Sequence, residues 1–229
     1  MIIEVIADTL SDAIAAQEAG ASRIELITGV VEGGLTPSYG LIEEVCGELR
    51  IPVSVMIRPH SRSFCYSNED VRMMLKDIEV CKELGATGVV FGTLTADNQI
   101  DEDTLKALLD KSEQLDVTFH RAFDEVSDQL AALQVIQKYP QISRILTSGG
   151  KQKAMDAVSE YQPLLQWTEN CDLNIMAGAG LTPENLERFL KKVNVKEIHF
   201  GSGVRYGNSL LRPIDPNKVK EIRQNCLKH

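Results

Sequence analysis

The stretches EAGASRIEL (18–26) and ELGATGVVF (83–91) decide the fold. Each closes an amphipathic run, turns through a glycine (Gly20, Gly85) and enters a short run of strand character. Glycine suits that corner because it adopts the left-handed conformation in which many helices end. A recurring helix-to-strand corner means that strands and helices alternate. Reading outward, eight apolar runs rich in β-branched residues have strand length: IIEVIA (2–7), SRIELI (22–27), PVSVMIR (52–58), GVVFG (88–92), DVTFHR (116–121), SRILTS (143–148), LNIMAG (173–178) and EIHFGS (197–202). Helix starts lie between them. Thr9-x-x-Asp12 and Ser67-x-x-Asp70 resemble capping boxes, and Thr182-Pro183 and Asp215-Pro216 place proline after a capping side chain. Strands joined through helices run parallel. Eight such units in 229 residues predict an α/β chain of one domain over 1–229, a single (β/α)8 TIM-type barrel. An open doubly wound sheet is the structural alternative, but no complete G-x-G-x-x-G follows the first strand.

Charge and composition exclude several classes. With 24 Lys+Arg against 33 Asp+Glu, the net charge is −9, which argues against general binding to nucleic acid or an anionic membrane. The N-terminal MIIEVIADTLSD carries acids at Glu4, Asp8 and Asp12 and lacks the basic region of a signal peptide, and no apolar run reaches membrane-span length. A cytoplasmic protein is expected. Five scattered cysteines without a CxxC pair suit reduced thiols.

Barrel chemistry sits at the C-terminal ends of the strands. Ionisable residues fall on these runs: Glu4 in the first, Glu25 in the second, Arg58 ending the third, His120 and Arg121 ending the fifth with Asp124 beyond, and His199 in the eighth. Side chains two apart share a strand face, so His120 and Arg121 point apart, and His120 is the better candidate for the interior. Gathered around one axis, Glu4, Glu25, Arg58, His120 and His199 form a candidate catalytic pocket for acid–base work or for a divalent metal. A satisfied structural ion-pair network is the plainer alternative. Three glycine-rich loops follow later strands: TSGG (147–150), MAGAGLTPEN (176–185) and FGSG (200–203). Ser148, Gly149, Gly178, Gly180, Gly201 and Ser202 are candidate anion ligands there, although glycines also serve tight turns. No lysine falls inside a strand, which argues against a Schiff-base aldolase. Cys65, after the third strand, is a candidate nucleophile or soft ligand, or simply a buried thiol.

Taken in order, EVIADTLSDAIAAQEAGASRIEL, VEGGLTPSYGLI, PVSVMIRPHSRSFCYS, ELGATGVVFGTLT, VTFHRAFD, RILTSGG, NIMAGAGLTPEN and EIHFGSG resemble the CutC copper-homeostasis family over nearly the whole chain. The resemblance implies a cytosolic TIM-type barrel that forms a homodimer or higher homo-oligomer and is linked to copper tolerance. It also implies Cu(I) on a cysteine pair, but the matching positions here are Ile6 and Ile27. Aliphatic side chains cannot coordinate a soft cation, which leaves Met56, Cys65 and Met176 as weak soft donors. Two functions follow as expectations: copper handling implied by the family, or a barrel enzyme, isomerase or lyase, acting on a small anionic or phosphorylated sugar-like metabolite. Either takes a small-molecule or metal ligand.

Overall fold

The structure, a computed structural model, describes residues 1–227. Strands β1 (Ile2–Ala7), β2 (Arg23–Leu26), β3 (Val53–Met56), β4 (Gly88–Phe91), β5 (Asp116–Phe119), β6 (Ile142–Thr147), β7 (Asn174–Ala177) and β8 (Glu197–Phe200) pair in chain order, and β8 returns to β1. All the pairings are parallel, so the expected closed barrel forms. Several strands end a residue or two before their apolar runs do. Ile27, Arg58 and His120 thereby lie just past the strand ends, where they line the mouth. Around the barrel lie α1 (Leu10–Ala19), α2 (Tyr39–Glu48), α3 (Asn68–Glu83), α4 (Glu102–Lys111), α5 (Gln129–Ile136), α6 (Val158–Thr168), α7 (Pro183–Leu190) and α8 (Pro216–Cys226).

Local chemistry explains the corners. Gly20 ends α1 at φ 102° and Gly85 follows α3 at φ 82°, both left-handed. Ser67 and Asp70 form a full capping box on α3. The box expected at Thr9 is only half made. Thr9 accepts from the Asp12 amide at 3.1 Å, but the Asp12 carboxylate accepts from Arg205 Nη1 (2.8 Å) and from the Ile214 amide (3.0 Å) instead. A buried arginine thus recruits the carboxylate and fastens the segment before α8 onto α1.

Strand alternation splits the side chains into two environments. Outward residues such as Val5, Leu26, Val55, Phe91, Phe119, Ile175 and Phe200 pack against the helices as the main core. Bulky branched side chains would fill most barrel interiors, but here the lower interior is ionic. Arg23 donates to Glu4 and, at 2.5 Å, to Glu197, and Arg144 reaches Glu197 (2.9 Å), Asp116 (2.6 Å) and Thr118 (2.9 Å). This chain of charges joins β1, β2, β8, β6 and β5. Removing one member of such a buried set strands its partners without compensation. Arg23→Ala is therefore expected to lower unfolding stability by about 3–5 kcal/mol in urea titrations. A loss below about 1 kcal/mol would show that the strands do not depend on this network.

Candidate active site at the barrel mouth

Above the ionic floor, a cavity of about 270 Å³ opens at the C-terminal ends of the strands. One wall is apolar, with Ile6, Ile27, Val30, Met56 and Leu210 gathered as a small cluster apart from the main core. The polar groups facing the cavity are Glu25, Arg58, His120, Arg121, His199 and Ser202. A larger recess of about 530 Å³ lies between α6 and α7 at the other end of the barrel. None of the buried unpartnered side-chain atoms borders that recess.

His199 Nδ1 is 2.7 Å from Glu4 Oε1, and its Nε2 faces Glu25 Oε2 at 3.9 Å. Glu4 is fully buried. Burial alone would raise its pKa, but Arg23 and His199 overcome that and bring it down to about 2. For Glu25 burial prevails: despite the attraction of His199, and with repulsion from Glu4 added, its pKa rises to about 7. Burial opposes charge on His199, yet Glu25 and Glu4 outweigh it and raise the imidazole above its ordinary value. The result is an oriented Glu4–His199 pair beside a carboxyl group that can give or take a proton near neutrality.

The opposite wall supplies donors. His120 Nδ1 accepts from the Ala122 amide at 3.2 Å, which assigns the ring proton to Nε2. Burial, with Arg58 nearby, lowers its pKa to about 3, so the ring is neutral and its Nε2–H is a hydrogen-bond donor. Arg58 donates from Nη1 to the carbonyls of Glu32 (3.0 Å) and Gly34 (3.2 Å) and lies 4.6 Å over the Phe64 ring. Phe64 also packs against His120 at 4.7 Å between ring centroids. Gly92 is needed here, because a Cβ would lie 2.6 Å from His120 Nδ1. Glu25 Oε1, Arg58 Nε and His120 Nε2 are buried and have no hydrogen-bond partner. All three belong to residues facing this one cavity. Leaving buried polar atoms unpaired is costly, so a ligand that paired them would be favoured.

Several sequence-level candidates sit elsewhere. Glu4 lies below the mouth and acts through His199. The TSGG loop is closed to an outside anion because Asp124 already fills it. That carboxylate accepts from the amides of Ser148 (3.0 Å) and Gly150 (3.1 Å) and from the hydroxyls of Thr147 (2.5 Å) and Ser148 (2.9 Å). The Gly149 amide is spent on Thr147 Oγ1, and that of Gly178 on the Thr147 carbonyl. Gly180, Gly201 and Ser202 do face the cavity. The soft donors do not converge. Met56 lines the mouth, Met176 Sδ accepts from Arg23 Nη2 at 3.4 Å in the floor, and Cys65 is exposed outside the lining. Among the described residues, one group of three His, Cys, Asp or Glu ligand atoms lies close enough to hold a metal, namely Glu4, Glu25 and His199, within 4.8 Å of one another. These are oxygen and nitrogen donors and do not fit Cu(I), which favours sulfur. The floor charges Arg23, Glu197 and Arg144 escaped the sequence reading. A period-two signal was available, since Arg23 precedes Glu25 by two residues and Glu197 precedes His199 by two.

Fold and site together define a (β/α)8 barrel with a polar cavity at its mouth and a Glu4–His199 pair beside Glu25 at its base. The CutC family model matches residues 1–204, and this chain belongs to the CutC family. It is 39% identical over 214 residues to a copper homeostasis protein cutC homolog of Mus musculus, covering 91% of this chain and 78% of the relative. A family protein CutC of Bacteroides fragilis is 39% identical over 233 residues, covering 98% and 91%. A CutC crystal structure from Streptococcus agalactiae superposes with a TM-score of 0.81 at 33% identity, covering 87% of this chain and 97% of that one. Among the described residues no helix is long and apolar enough to cross a membrane.

The acid–base pair carries a pH signature. Between the unfolded carboxylate value and about 7, the folded chain holds a proton on Glu25 that the unfolded chain has released. Raised His199 acts in the same direction from the ordinary imidazole value upward. Both make stability fall as pH rises through these windows. Glu25→Gln is expected to flatten the fall between about pH 5 and pH 7 in chemical denaturation. An unchanged slope would mean that Glu25 titrates normally.

Proposed function

We propose that this chain is a barrel enzyme that moves a proton on a small anionic hydroxycarbonyl metabolite. The observation that carries the reading is that Glu25, Arg58 and His120, three residues lining one cavity, each keep a buried side-chain atom, Oε1, Nε and Nε2, without a hydrogen-bond partner. A substrate carbonyl oxygen facing Arg58 and His120 accepts hydrogen bonds from both and is polarised. The Glu25 carboxylate then takes the proton from the adjacent carbon while the negative charge moves onto that oxygen. The protonated Glu25 returns the proton to the neighbouring carbon while the hydroxyl proton of that carbon passes to the former carbonyl oxygen, so carbonyl and hydroxyl exchange places and the substrate is isomerised without a co-reactant. Neutral His120 suits the donor role, since an uncharged imidazole holds a developing oxyanion without first binding the anion of a bystander. Glu4 and His199 set the charge beside Glu25. The cavity of about 270 Å³ lies just below the roughly 300–1,000 Å³ of drug-sized sites, which suits a short metabolite.

Copper handling is the second reading, favoured by the name of the mouse relative. Against it stands the mouth itself, where Ile6, Ile27 and Leu210 surround the single thioether of Met56. A cytoplasmic, reducing setting suits the five free thiols, and homo-oligomeric assembly comes with the family resemblance.

The two readings separate in one set of measurements. Exchange of the carbon-bound protons of glycolaldehyde phosphate into D2O, followed by NMR, is expected to be accelerated by the wild type and cut at least about 100-fold in Glu25→Gln. Arg58→Ala is expected to weaken the binding of that compound in thermal-shift titration. Absence of both binding and exchange, with tight competitive Cu(I) uptake by the reduced protein, would replace the enzyme reading with the copper one.

A further inference from the structure

The cavity has two donor poles, and the second is used neither by the fold nor by the chemistry above. Across the mouth from Arg58 and His120 lie Gly180, after β7, and Gly201 with Ser202, after β8. Among the described residues, the backbone N–H groups of Gly180, Gly201 and Ser202 have no acceptor. The backbone here is shaped for close approach. Ala179 and Gly180 take φ 77° and 71°, so two successive residues are left-handed. Gly203 presses the two loops together, since a Cβ there would lie 2.0 Å from the Leu181 carbonyl oxygen. Lys153, exposed, lays its aliphatic stem against Gly180, with Cγ 3.0 Å from the position a Cβ would take. The stem therefore packs on the loop that carries the free amides. The neighbouring TSGG cradle offers the same donor types, and there a carboxylate is what the amides hold: Asp124 takes the amides of Ser148 and Gly150. The chain thus shows within itself which class of group such loops accept.

In the lining of the same cavity, Glu25, Arg58 and His120 each keep a buried, partnerless atom, Oε1, Nε and Nε2. The protein carries a net charge of −9, yet two arginines line this cavity, Arg58 and the Asp124-paired Arg121. We infer that the ligand is a two-ended phosphomonoester, with its phosphate on the Gly180, Gly201 and Ser202 amides beside Lys153 and its carbonyl or carboxylate end on Arg58 and His120. This rests on the enzyme reading for the Arg58 end and adds the phosphate end. Backbone amides and a lysine suit phosphate, whose oxygens accept several hydrogen bonds at once. The cavity of about 270 Å³ makes a short sugar phosphate the substrate class.

The test compares 2-phosphoglycolate with glycolate and with inorganic phosphate by calorimetric titration. Wild type is expected to bind 2-phosphoglycolate about 100-fold more tightly than glycolate, the gain from two or so charge-assisted hydrogen bonds. Ser202→Asp, which puts a negative charge at the phosphate pole, is expected to collapse that ratio to within a few-fold. Lys153→Ala, a change at an exposed position that leaves the fold intact, is expected to lower it several-fold and so serves if Ser202→Asp fails to fold. Arg58→Ala is expected to weaken both organic ligands. A wild-type ratio near one, with glycolate still bound in an Arg58-dependent way, would overturn the phosphate pole and leave the proposed function standing. A high ratio unmoved by both Ser202→Asp and Lys153→Ala would place the phosphate elsewhere and overturn it too. Failure of all three probes to bind the wild type would remove both this inference and the reading beneath it.

Discussion

The interior of this barrel depends on one buried guanidinium. Arg23 stands between Glu4 and Glu197 and joins strands that are distant in sequence but adjacent around the ring. Charge taken out of water is tolerated only when it is matched and hydrogen-bonded. Arg23 matches Glu4 on one side, and Arg144 completes the pairing of Glu197 on the other. Neither carboxylate can be moved singly without leaving a buried charge unmatched, so the strand register that places them is fixed as a set. Shape alone would not demand this, because branched apolar residues fill many barrels of this class without any charge.

The same arrangement prepares the mouth. Because Arg23 holds Glu4 ionised, Glu4 can hold His199, and the two together decide how Glu25 behaves. Glu25 is left with one oxygen near an imidazole and the other with nothing. Two carboxylates on neighbouring strands therefore end with opposite characters, one firmly charged and one close to neutral pH. Environment, rather than residue type, separates the structural acid from the chemical one. The apolar cluster of Ile27, Val30, Met56 and Val90 adds to the difference by keeping water away from one side of the cavity.

Much of the fold was legible because it repeats. The glycine corners of EAGASRIEL and ELGATGVVF, the eight β-branched runs and the proline-marked helix starts are local signals, each readable within about ten residues. The inward residues could also be found by alternation, which brought Glu25, Arg58, His120 and His199 to one end. What alternation could not say was which charge meets which. Glu4 pairs with a residue 19 positions away on the neighbouring strand and His199 with one 195 positions away, a separation that only closure of the ring between β8 and β1 brings together. The role of Asp124 was hidden for the same reason: TFHRAFD shows a carboxylate after a strand, but not that it reaches the loop after the next strand. Asp12 misled in the other direction, since its position three after Thr9 suits a capping box and only the fold reveals the competing Arg205.

Asp124 in the TSGG loop has a wider meaning. A ligand-like carboxylate, built into the polypeptide, completes one of the amide-lined loops before any metabolite arrives. It acts as a resident guest, so that the β6 side of the rim reaches its final shape during folding and the entropy of ordering it is not charged to later capture of a visitor. Selectivity then narrows to the loops that have no such guest, and a change of preference during evolution could proceed there without disturbing the frame beneath.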